Sequence, residues 1–330
     1  MPKRFDARWA RRTMASALLS ISGVIVGTAA SAQPADYPAK PIRFVVAFPA
    51  GSATDQTARL IAQQLSQSTG QSVIVDNRGG ANGFIAAETV AKAPADGYTV
   101  LVTTGTTHAA NPNLFRKLPY DPVRDFTPIS ALIIASFVMV VPNESRATTV
   151  GELVRLAKAS PGKYSFASGN APSRIGGEMF RQMAEVDLIH VPYKGAPQAL
   201  ADLMGGQVSM MWTDIITGMP LVNGGKLRAL AVTSQARLPA APTIPTMREQ
   251  GFPDYELVNW QGMYLPANAP AAVTARLTSL VHAAIRAEKT ALEATGSQVL
   301  PLSNEAFAAL QARDTATWAR VVKAAGMTPE

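Results

Sequence analysis

Residues 42–65 read IRFVVAFPAGSATDQTARLIAQQL and contain a strand, a tight loop and a helix in direct succession. The run 42–48 is apolar and rich in β-branched and aromatic residues, which is typical of a strand buried on both faces of a parallel sheet. Residues 49–51 (PAG) end the strand, and Ser52 with Asp55 three residues later has the spacing of a capping box. One apolar stripe then predicts the helix: Ala58, Ile61, Ala62 and Leu65.

The loop between this strand and this helix is predicted to bind an anion. The first N–H groups of a helix have no intrahelical acceptor, and the helix dipole makes that end positive. A carboxylate or a phosphate is the ligand that such a seat favours.

Composition excludes several other classes of protein. The chain has 330 residues, of which 47% are hydrophobic and 16% charged, so it can bury a large core in one big domain or two ordinary ones. The net charge is +7, but residues 1–32 carry five basic residues and one aspartate, which leaves only +3 for the rest. With no basic run interleaved with aromatics, a nucleic-acid partner is not expected. The absence of cysteine excludes disulfides, thiolate nucleophiles and cysteine-metal sites.

The first 32 residues have the pattern of an export signal. A basic segment ends at Arg12, an apolar stretch covers 14–30, and Ala30-Ser31-Ala32 supplies the small residues of a cleavage site. We expect cleavage after Ala32 and a mature protein in the periplasm. The alternative of a membrane anchor is disfavoured by the shortness of the run. The pair Arg11-Arg12 leaves general and twin-arginine export both open.

The strand–loop–helix unit recurs along the chain, which predicts a parallel α/β sheet with ligands at the carboxyl ends of its strands. The first series has predicted strands at 72–76 and 98–103, a glycine-rich loop at 77–83, a helix at 84–91 and a polar loop at 104–111. The second has strands at 163–168, 188–191, 207–213 and 227–232, loops at 169–174 and 193–196, and helices at 175–184 and 198–204.

Extended segments connect the two series. The strand 137–141 runs into Pro142 and is predicted to cross between domains, before a helix capped by Thr149 and Glu152. The segment 255–265 is the predicted return crossing. Around it we expect a surface segment at 239–245, a short helix capped by Thr246 and Glu249, and helices at 271–287 and 303–325, the last closed by Gly326. Two lobes joined by two crossings predict a clamp that closes on a ligand.

A series of ordered motifs resembles the Bug-type (TctC-like) periplasmic receptors of tripartite tricarboxylate transporters. After the export signal the motifs are YPAKPIRFVVAFPAGSATD, VDNRGGANG, DGYTVLV, VPYKGAPQALADLMGGQV, GKLRALAVTS and YLPANAP. The resemblance implies an α/β, two-lobed periplasmic-binding-protein fold of type II (Venus flytrap) with two crossing strands. We expect residues 33–141 and 262–330 in lobe 1, and residues 142–261 in lobe 2. It also implies a small organic acid as ligand, membrane permease subunits as partners, a monomer, no cofactor and no catalysis.

The family's contact positions carry over onto both lobes. The first-lobe contacts would be Phe48, Gly51, Ser52, Ala53, Thr54 and Asp55, and the second-lobe contacts Lys194, Gly195, Ala196 and Pro197. Many relatives have a histidine where this chain has Arg174, and an arginine fork there favours a second carboxylate, hence a dicarboxylate or an aromatic acid. Further candidates lie in the predicted loops or at the ends of the predicted strands: Arg78, Thr106, His108, Ser168, Asn170 and Asp214.

Structural interpretations of these residues stay open at this point. Ser52 and Asp55 are expected as helix caps whatever the function, and Asp214 can begin the next helix in the same way. Arg78, Arg174 and Lys194 can equally face water. His108 can be a structural histidine.

The sequence leaves two other functions to consider. A periplasmic hydrolase would use Ser52 or Ser168 with His108 and Asp214, but the chain has no G-x-S-x-G elbow. Neither H-x-x-x-H nor H-x-E occurs, so no metal site is expected, and NRGGANG is not a P-loop. A receptor that presents its ligand to a signalling partner would use the same closed state as a transport receptor, and the sequence does not separate the two.

Overall fold

The computed structural model describes residues 37–324 and 326–329. The predicted export signal and its cleavage after Ala32 lie outside these residues. No helix within the described ranges combines the length and the apolar character needed to cross a bilayer.

The first series of strands and helices forms a parallel α/β layer. Its elements are β1 (Ile42–Val46), α1 (Ala53–Thr69), β2 (Val73–Asn77), a 3-10 turn (Ala81–Gly83), α2 (Phe84–Ala91) and β3 (Thr99–Thr104). β1 lies between β2 and β3 and is parallel to both. Ile42, Phe44 and Val46 of β1 and the buried stripe of α1, which includes Ile61 and Leu65, belong to one core. The predicted strand–loop–helix unit is therefore confirmed.

The polar loop predicted at 104–111 is wrong, because the chain is helical there. A π-helical turn (Thr106–Ala110) leads into α3 (Asn111–Leu114). Thr107 Oγ1 donates to the carbonyl of Thr104 at 3.2 Å, and Pro112 lies in the first turn of α3. Proline is tolerated there because its missing N–H would have no helical acceptor.

A long strand, β4 (Phe126–Pro142), joins the two lobes, and the prediction of a strand only at 137–141 missed its first half. Residues 126–136 pair with β9 (Val258–Pro266), whereas residues 137–142 pair in the second sheet. Register shifts between Pro128 and Ser130 and between Ala131 and Ile133 accommodate residues that interrupt the strand pattern. The change of partners falls between Ser136 and Phe137. The lobe boundaries at 141 and 261 stay a prediction.

The second lobe repeats the topology of the first. Its elements are α4 (Val150–Ala159), β5 (Tyr164–Ser168), α5 (Ala171–Met183), β6 (Leu188–Pro192), α6 (Ala196–Met204), β7 (Met210–Asp214), α7 (Ile215–Asn223) and β8 (Leu227–Val232). The order β6-β5-β7 matches β2-β1-β3, and β7 and β8 both pair with the second half of β4. The carboxyl ends of β5, β6 and β7 therefore share one edge.

Three local predictions in this lobe need correction. The loop predicted to extend to Arg174 ends earlier, because Asn170 caps α5 and Pro172 fits its first turn. α7 was given no range in the prediction, although Asp214 was considered as a residue that starts the next helix. The segment after Thr246 forms a turn and not a helix, although Thr246 and Glu249 make the two reciprocal capping hydrogen bonds.

The C-terminal elements return to the first lobe. They are α8 (Ala271–Ala287), α9 (Lys289–Ala294), β10 (Gln298–Val299) and α10 (Asn304–Ala324), and β10 pairs with the first half of β4. Gly326 has a φ of +63°, the left-handed conformation predicted for the residue that closes the last helix. Trp260 on β9 donates to Asp314 Oδ2 on α10 at 2.9 Å, which ties the crossing strand to that helix.

Candidate ligand-binding cleft

Asp55 organises the loop between β1 and α1. The N–H of Asp55 donates to Ser52 Oγ at 3.3 Å, so the predicted helix cap is confirmed. Its carboxylate accepts from the Gly51 N–H at 2.8 Å and from Asn77 Nδ2 at 2.9 Å, and it pairs with Arg59 at 3.0 Å. Burial by itself would raise the pKa of Asp55, but hydrogen bonds from Arg59, Gly51 and Asn77 outweigh burial and lower the pKa. Asp55 is therefore ionised, and hydrogen bonds from Gly51, Asn77 and Arg59 stabilise its charge.

These hydrogen bonds reduce the number of backbone N–H groups that remain available to an anion at this loop. The N–H groups of Gly51 and Asp55 are used within the loop, and the N–H of Ser52 donates to the Pro49 carbonyl at 3.1 Å. Ala53 and Thr54 form the start of α1, where N–H groups have no intrahelical acceptor. Both residues are buried beside the loop. They are the backbone donors best placed for an anion at this helix end.

A second loop in lobe 2 lies directly against the first. Gly195 and Ala196 are buried, Pro197 is half-buried and Lys194 is exposed. A Cβ atom on Gly195 would lie 2.7 Å from Pro49 Cδ, and a Cβ atom on Gly51 would lie 3.8 Å from Pro197 Cγ. The two lobes are therefore in contact at the mouth of the cleft, and the contact involves the loops predicted from each side.

The loop that follows β5 forms the neighbouring wall. Asn170 caps α5 by accepting from the Ser173 N–H at 2.8 Å. A Cβ atom on Gly169 would lie 2.4 Å from the backbone nitrogen of Ala196, so only glycine allows the two second-lobe loops to pack this closely. Arg174 follows in the first turn of α5 and is partly exposed.

A cavity of about 300 Å³ opens between the lobes beside these loops. Lobe 1 contributes Asn82 and Leu114 to its walls, and the other lining residues are Ser168, Asn170, Ala171, Arg174, His190, Pro192, Tyr193 and Lys194. Four of the predicted site residues therefore meet here: Ser168, Asn170, Arg174 and Lys194. No aspartate or glutamate is among the lining residues, so the charged side chains of this wall are basic.

Sequence reasoning missed His190 as a cleft residue. His190 Nε2 lies 2.7 Å from Ser168 Oγ, and the imidazole stacks on Phe166 with ring centroids 4.9 Å apart. The contact follows from the parallel pairing of β5 with β6, which places Phe166 opposite His190. No local motif announces it, because Ser168 and His190 are 22 residues apart.

Asp214 lies behind the cleft wall. It ends β7 and precedes α7, as the alternative reading of a helix-starting residue expected, but its side chain makes no capping hydrogen bond. Asn170 Nδ2 donates to Asp214 Oδ2 at 3.3 Å. Burial raises the pKa of Asp214 to about 6, although hydrogen bonds from its own N–H and from Asn170 act in the opposite direction.

Other predicted site residues are placed away from this cavity. His108 is fully buried and stacks on Tyr264, with ring centroids 4.0 Å apart and an interplanar angle of 14°. Its Nδ1 lies 2.7 Å from Thr107 Oγ1, and burial lowers its pKa to about 3. Thr106 is fully buried in the same π-helical turn. Arg78 is exposed and pairs with Asp76 at 3.0 Å.

Phe48 and Asn77 link the first loop to the neighbouring strand. The side chain of Phe48 is buried, and its carbonyl accepts from Asn77 Nδ2 at 3.0 Å.

No cluster of three or more potential metal-ligating side chains occurs within residues 37–324 and 326–329.

The family described as "Tripartite tricarboxylate transporter family receptor" matches residues 57–327. The chain belongs to this receptor family. Its members are solute-binding receptors, so the predictions of the family and of a protein that is not an enzyme are confirmed, and the hydrolase alternative is set aside.

Solved relatives of this receptor cover almost all of it. An R. palustris protein solved with adipate is 33% identical over 89% of this chain and 100% of its own, with a TM-score of 0.87. The periplasmic binding protein BugD is 31% identical over 89% of this chain and 100% of its own, with a TM-score of 0.84. MatC from Rhodopseudomonas palustris, solved with malate, is 30% identical over 87% of this chain and 100% of its own, with a TM-score of 0.81. The predicted two-lobed fold is confirmed, and the receptor is a periplasmic binding protein by its family.

Proposed function

We propose that this receptor captures a small organic acid, with dicarboxylates or aromatic acids favoured, and delivers it to the membrane permease subunits of a tripartite tricarboxylate transporter. The observation that carries the proposal is the charge of the cavity, whose walls include Arg174, His190 and Lys194 but no acidic side chain. Such a wall attracts anions and repels cations. The adipate and malate bound by two relatives are small dicarboxylic acids of suitable chemistry.

The two lobes would divide the work of recognition. One carboxylate would accept from the N–H groups of Ala53 and Thr54 at the positive end of α1, and the loop Lys194–Pro197 would close on it from lobe 2. The guanidinium of Arg174 would hold a second acid group through two parallel hydrogen bonds. Closure of residues 142–261 onto residues 33–141 and 262–330 would give the permease a form to recognise.

Export and the monomeric state belong to the same proposal. We expect the signal to be removed after Ala32, which gives a periplasmic chain that begins at Gln33. N-terminal sequencing of the exported protein would test the cleavage site. Light scattering on the mature chain would test the monomer, and a stable dimer would contradict it.

The test of ligand class is a thermal-shift screen of residues 33–330 followed by titration calorimetry on the acids that respond. The panel contains adipate, malate, benzoate, a monocarboxylate of matched length, an amino acid and a neutral sugar. A ligand that binds only the folded state raises the unfolding midpoint with its concentration. We expect shifts from acids alone, largest for diacids or benzoate. A shift from the sugar and none from any acid would overturn the proposal.

A further inference from the structure

Asp214 and Asp55 are both buried carboxyl groups at the edge where the strands end, but they differ in the hydrogen-bond donors and cations around them. Asp55 receives hydrogen bonds from a backbone N–H and an amide and pairs with Arg59. Within the described part of the chain, Asp214 forms no ion pair, and the side-chain donor to its carboxylate is Asn170 at 3.3 Å. Burial with so few donors shifts the equilibrium of the Asp214 carboxyl towards its protonated form.

Asn170 connects Asp214 to the cleft. Its Oδ1 accepts from the Ser173 N–H at 2.8 Å and its Nδ2 donates to Asp214, so both ends of the amide are fixed. The same side chain lines the cavity. An amide nitrogen carries two hydrogens, and one of them is used by Asp214. Asn170 can donate its second amide hydrogen to a ligand in the cavity. Asp214 would then be separated from that ligand by the side chain of Asn170 alone.

We propose that Asp214 takes up a proton from solvent when an organic acid enters the cleft, and that it thereby acts as a positioning residue which makes capture tighter at lower pH. This inference rests on the proposed function. The protonated carboxyl still accepts from Asn170 Nδ2 through its carbonyl oxygen, so the orientation of the amide is kept. What is removed is a negative charge that would repel the anionic ligand.

The direction of the pH dependence follows from linkage. Burial already raises the pKa of Asp214 to about 6 in the protein without ligand, and an added anion nearby raises it further. At a pH below the pKa of Asp214 in both the free and the ligand-bound receptor, Asp214 carries its proton before and after binding. At a pH above both values, binding requires either that Asp214 takes up a proton or that its carboxylate and the anionic ligand repel each other. Each unit by which the ligand raises the pKa makes the affinity about tenfold lower at high pH than at low pH.

Other charged groups near Asn170 have to be separated from Asp214. Arg174 on α5 and Lys194 before α6 line the same cavity, and both are basic side chains that attract the anionic ligand. His190 on β6 also lines the cavity and would take up a proton in the same direction. The neighbours of Asp214 on the other sides are neutral: Phe137 opposite it on β4, and Thr217, whose hydroxyl donates to the Asp214 carbonyl. His190 is thus the one competing explanation among these groups.

Calorimetry of the mature chain with adipate between pH 6.5 and 8.5 gives a first test that needs no variant. Adipate is fully ionised in this range, because its carboxyls titrate near pH 4 to 5. Titrations in two buffers with different ionisation enthalpies report the protons taken up. We expect uptake of a substantial fraction of one proton near pH 7, and a dissociation constant about tenfold higher at pH 8.5 than at pH 6.5. No proton uptake and a flat profile would overturn the inference.

The variant Asp214→Asn tests whether Asp214 is the residue that takes up the proton on ligand binding. Asparagine has the shape and the neutral charge of protonated aspartate, so we expect a flat pH profile and, at pH 8.5, binding tighter than that of the wild type. A merely structural role predicts weaker binding at every pH, and that result would contradict the proposal. Asp314→Asn is the matched control, because burial also raises the pKa of Asp314, which pairs with Trp260 outside the cavity walls. Its pH slope should equal that of the wild type.

The variant His190→Gln decides between the two titrating groups. If it removes the slope while Asp214→Asn keeps it, the histidine is responsible and the inference is wrong. Acid binding with an unchanged slope in Asp214→Asn overturns this inference alone. A wild type that binds no acid at any pH overturns the proposed function, and this inference with it.

Discussion

Pro49 of the first lobe lies against Gly195 of the second, so closely that a Cβ atom on Gly195 would be 2.7 Å from Pro49 Cδ. The φ of Gly195 is 179°, an extended conformation open to any residue, so the requirement for glycine comes from the contact and not from the backbone. The contact joins the two loops at the mouth of the cleft.

Gly195→Ala should therefore hinder closure without unfolding either lobe. We expect the dissociation constant for the best acid to rise about tenfold or more, because part of the binding free energy must now be used to displace Pro49. The unfolding midpoint should move little. Gly151→Ala on α4 is the matched control, since a Cβ atom there meets no other atom within 4 Å. Equal affinity in the two variants would argue that the loops separate without consequence for binding.

Asp55→Asn should weaken the first loop. The change removes an ion pair with Arg59 and reduces the charge that the Gly51 N–H stabilises, which we expect to cost about 1–3 kcal/mol of unfolding free energy at pH 7. Because the pKa of Asp55 is lowered in the fold, this stabilisation is present at neutral pH and is lost as the pH falls through its folded pKa. Urea unfolding at pH 7 and pH 3 measures both effects. Asp96→Asn, an exposed pair with Lys40, is the control and should cost far less.

Arg174→Ala should distinguish diacids from monoacids. If Arg174 holds a second acid group, we expect a loss of tenfold or more in affinity for adipate, equivalent to about 1.5–3 kcal/mol, and a small change for a monocarboxylate of matched length. Calorimetry with both ligands makes the comparison. Arg181→Ala on the same helix, where the side chain pairs with Glu178 at 2.7 Å, provides the control. Similar losses for both acids would reject the second-carboxylate role.

His108 should make the fold sensitive to acid. Burial lowers its pKa to about 3 from an ordinary 6.5, so the unfolded chain binds its proton first and stability falls as the pH drops below about 6.5. At pH 5 this penalty amounts to about 2 kcal/mol. Denaturant unfolding of His108→Gln at pH 7.5 and pH 5 should show a smaller loss than the wild type between the two pH values. His282→Gln should keep the wild-type loss, and an unchanged loss in His108→Gln would show that the imidazole titrates normally.

Local contacts explain why much of this fold was predictable. The caps formed by Ser52 with Asp55 and by Thr149 with Glu152 span three residues, so the sequence contains all of the atoms involved. The mainly apolar strands β1 and β8 are short, and each contains a single polar residue, Arg43 or Arg228. In contrast, the first half of β4 carries Thr127, Pro128 and Ser130, which its pairing with β9 accommodates through register shifts. Local hydrophobic periodicity alone does not show that β9 is the pairing partner of this segment.

The candidate site divides in the same way. The residues alone predict an anion seat at the helix end after β1 and the glycine loop at 194–197, and they exclude cysteine chemistry, because each depends on neighbouring residues or on composition. Only the tertiary structure placed Gly195 against Pro49, brought His190 to Ser168 and put His108 into the core. It also decided that Asp55 is ionised within its loop while Asp214 is left with Asn170. The physical reason is that burial, and the donors available to a buried charge, are set by segments far apart in the chain.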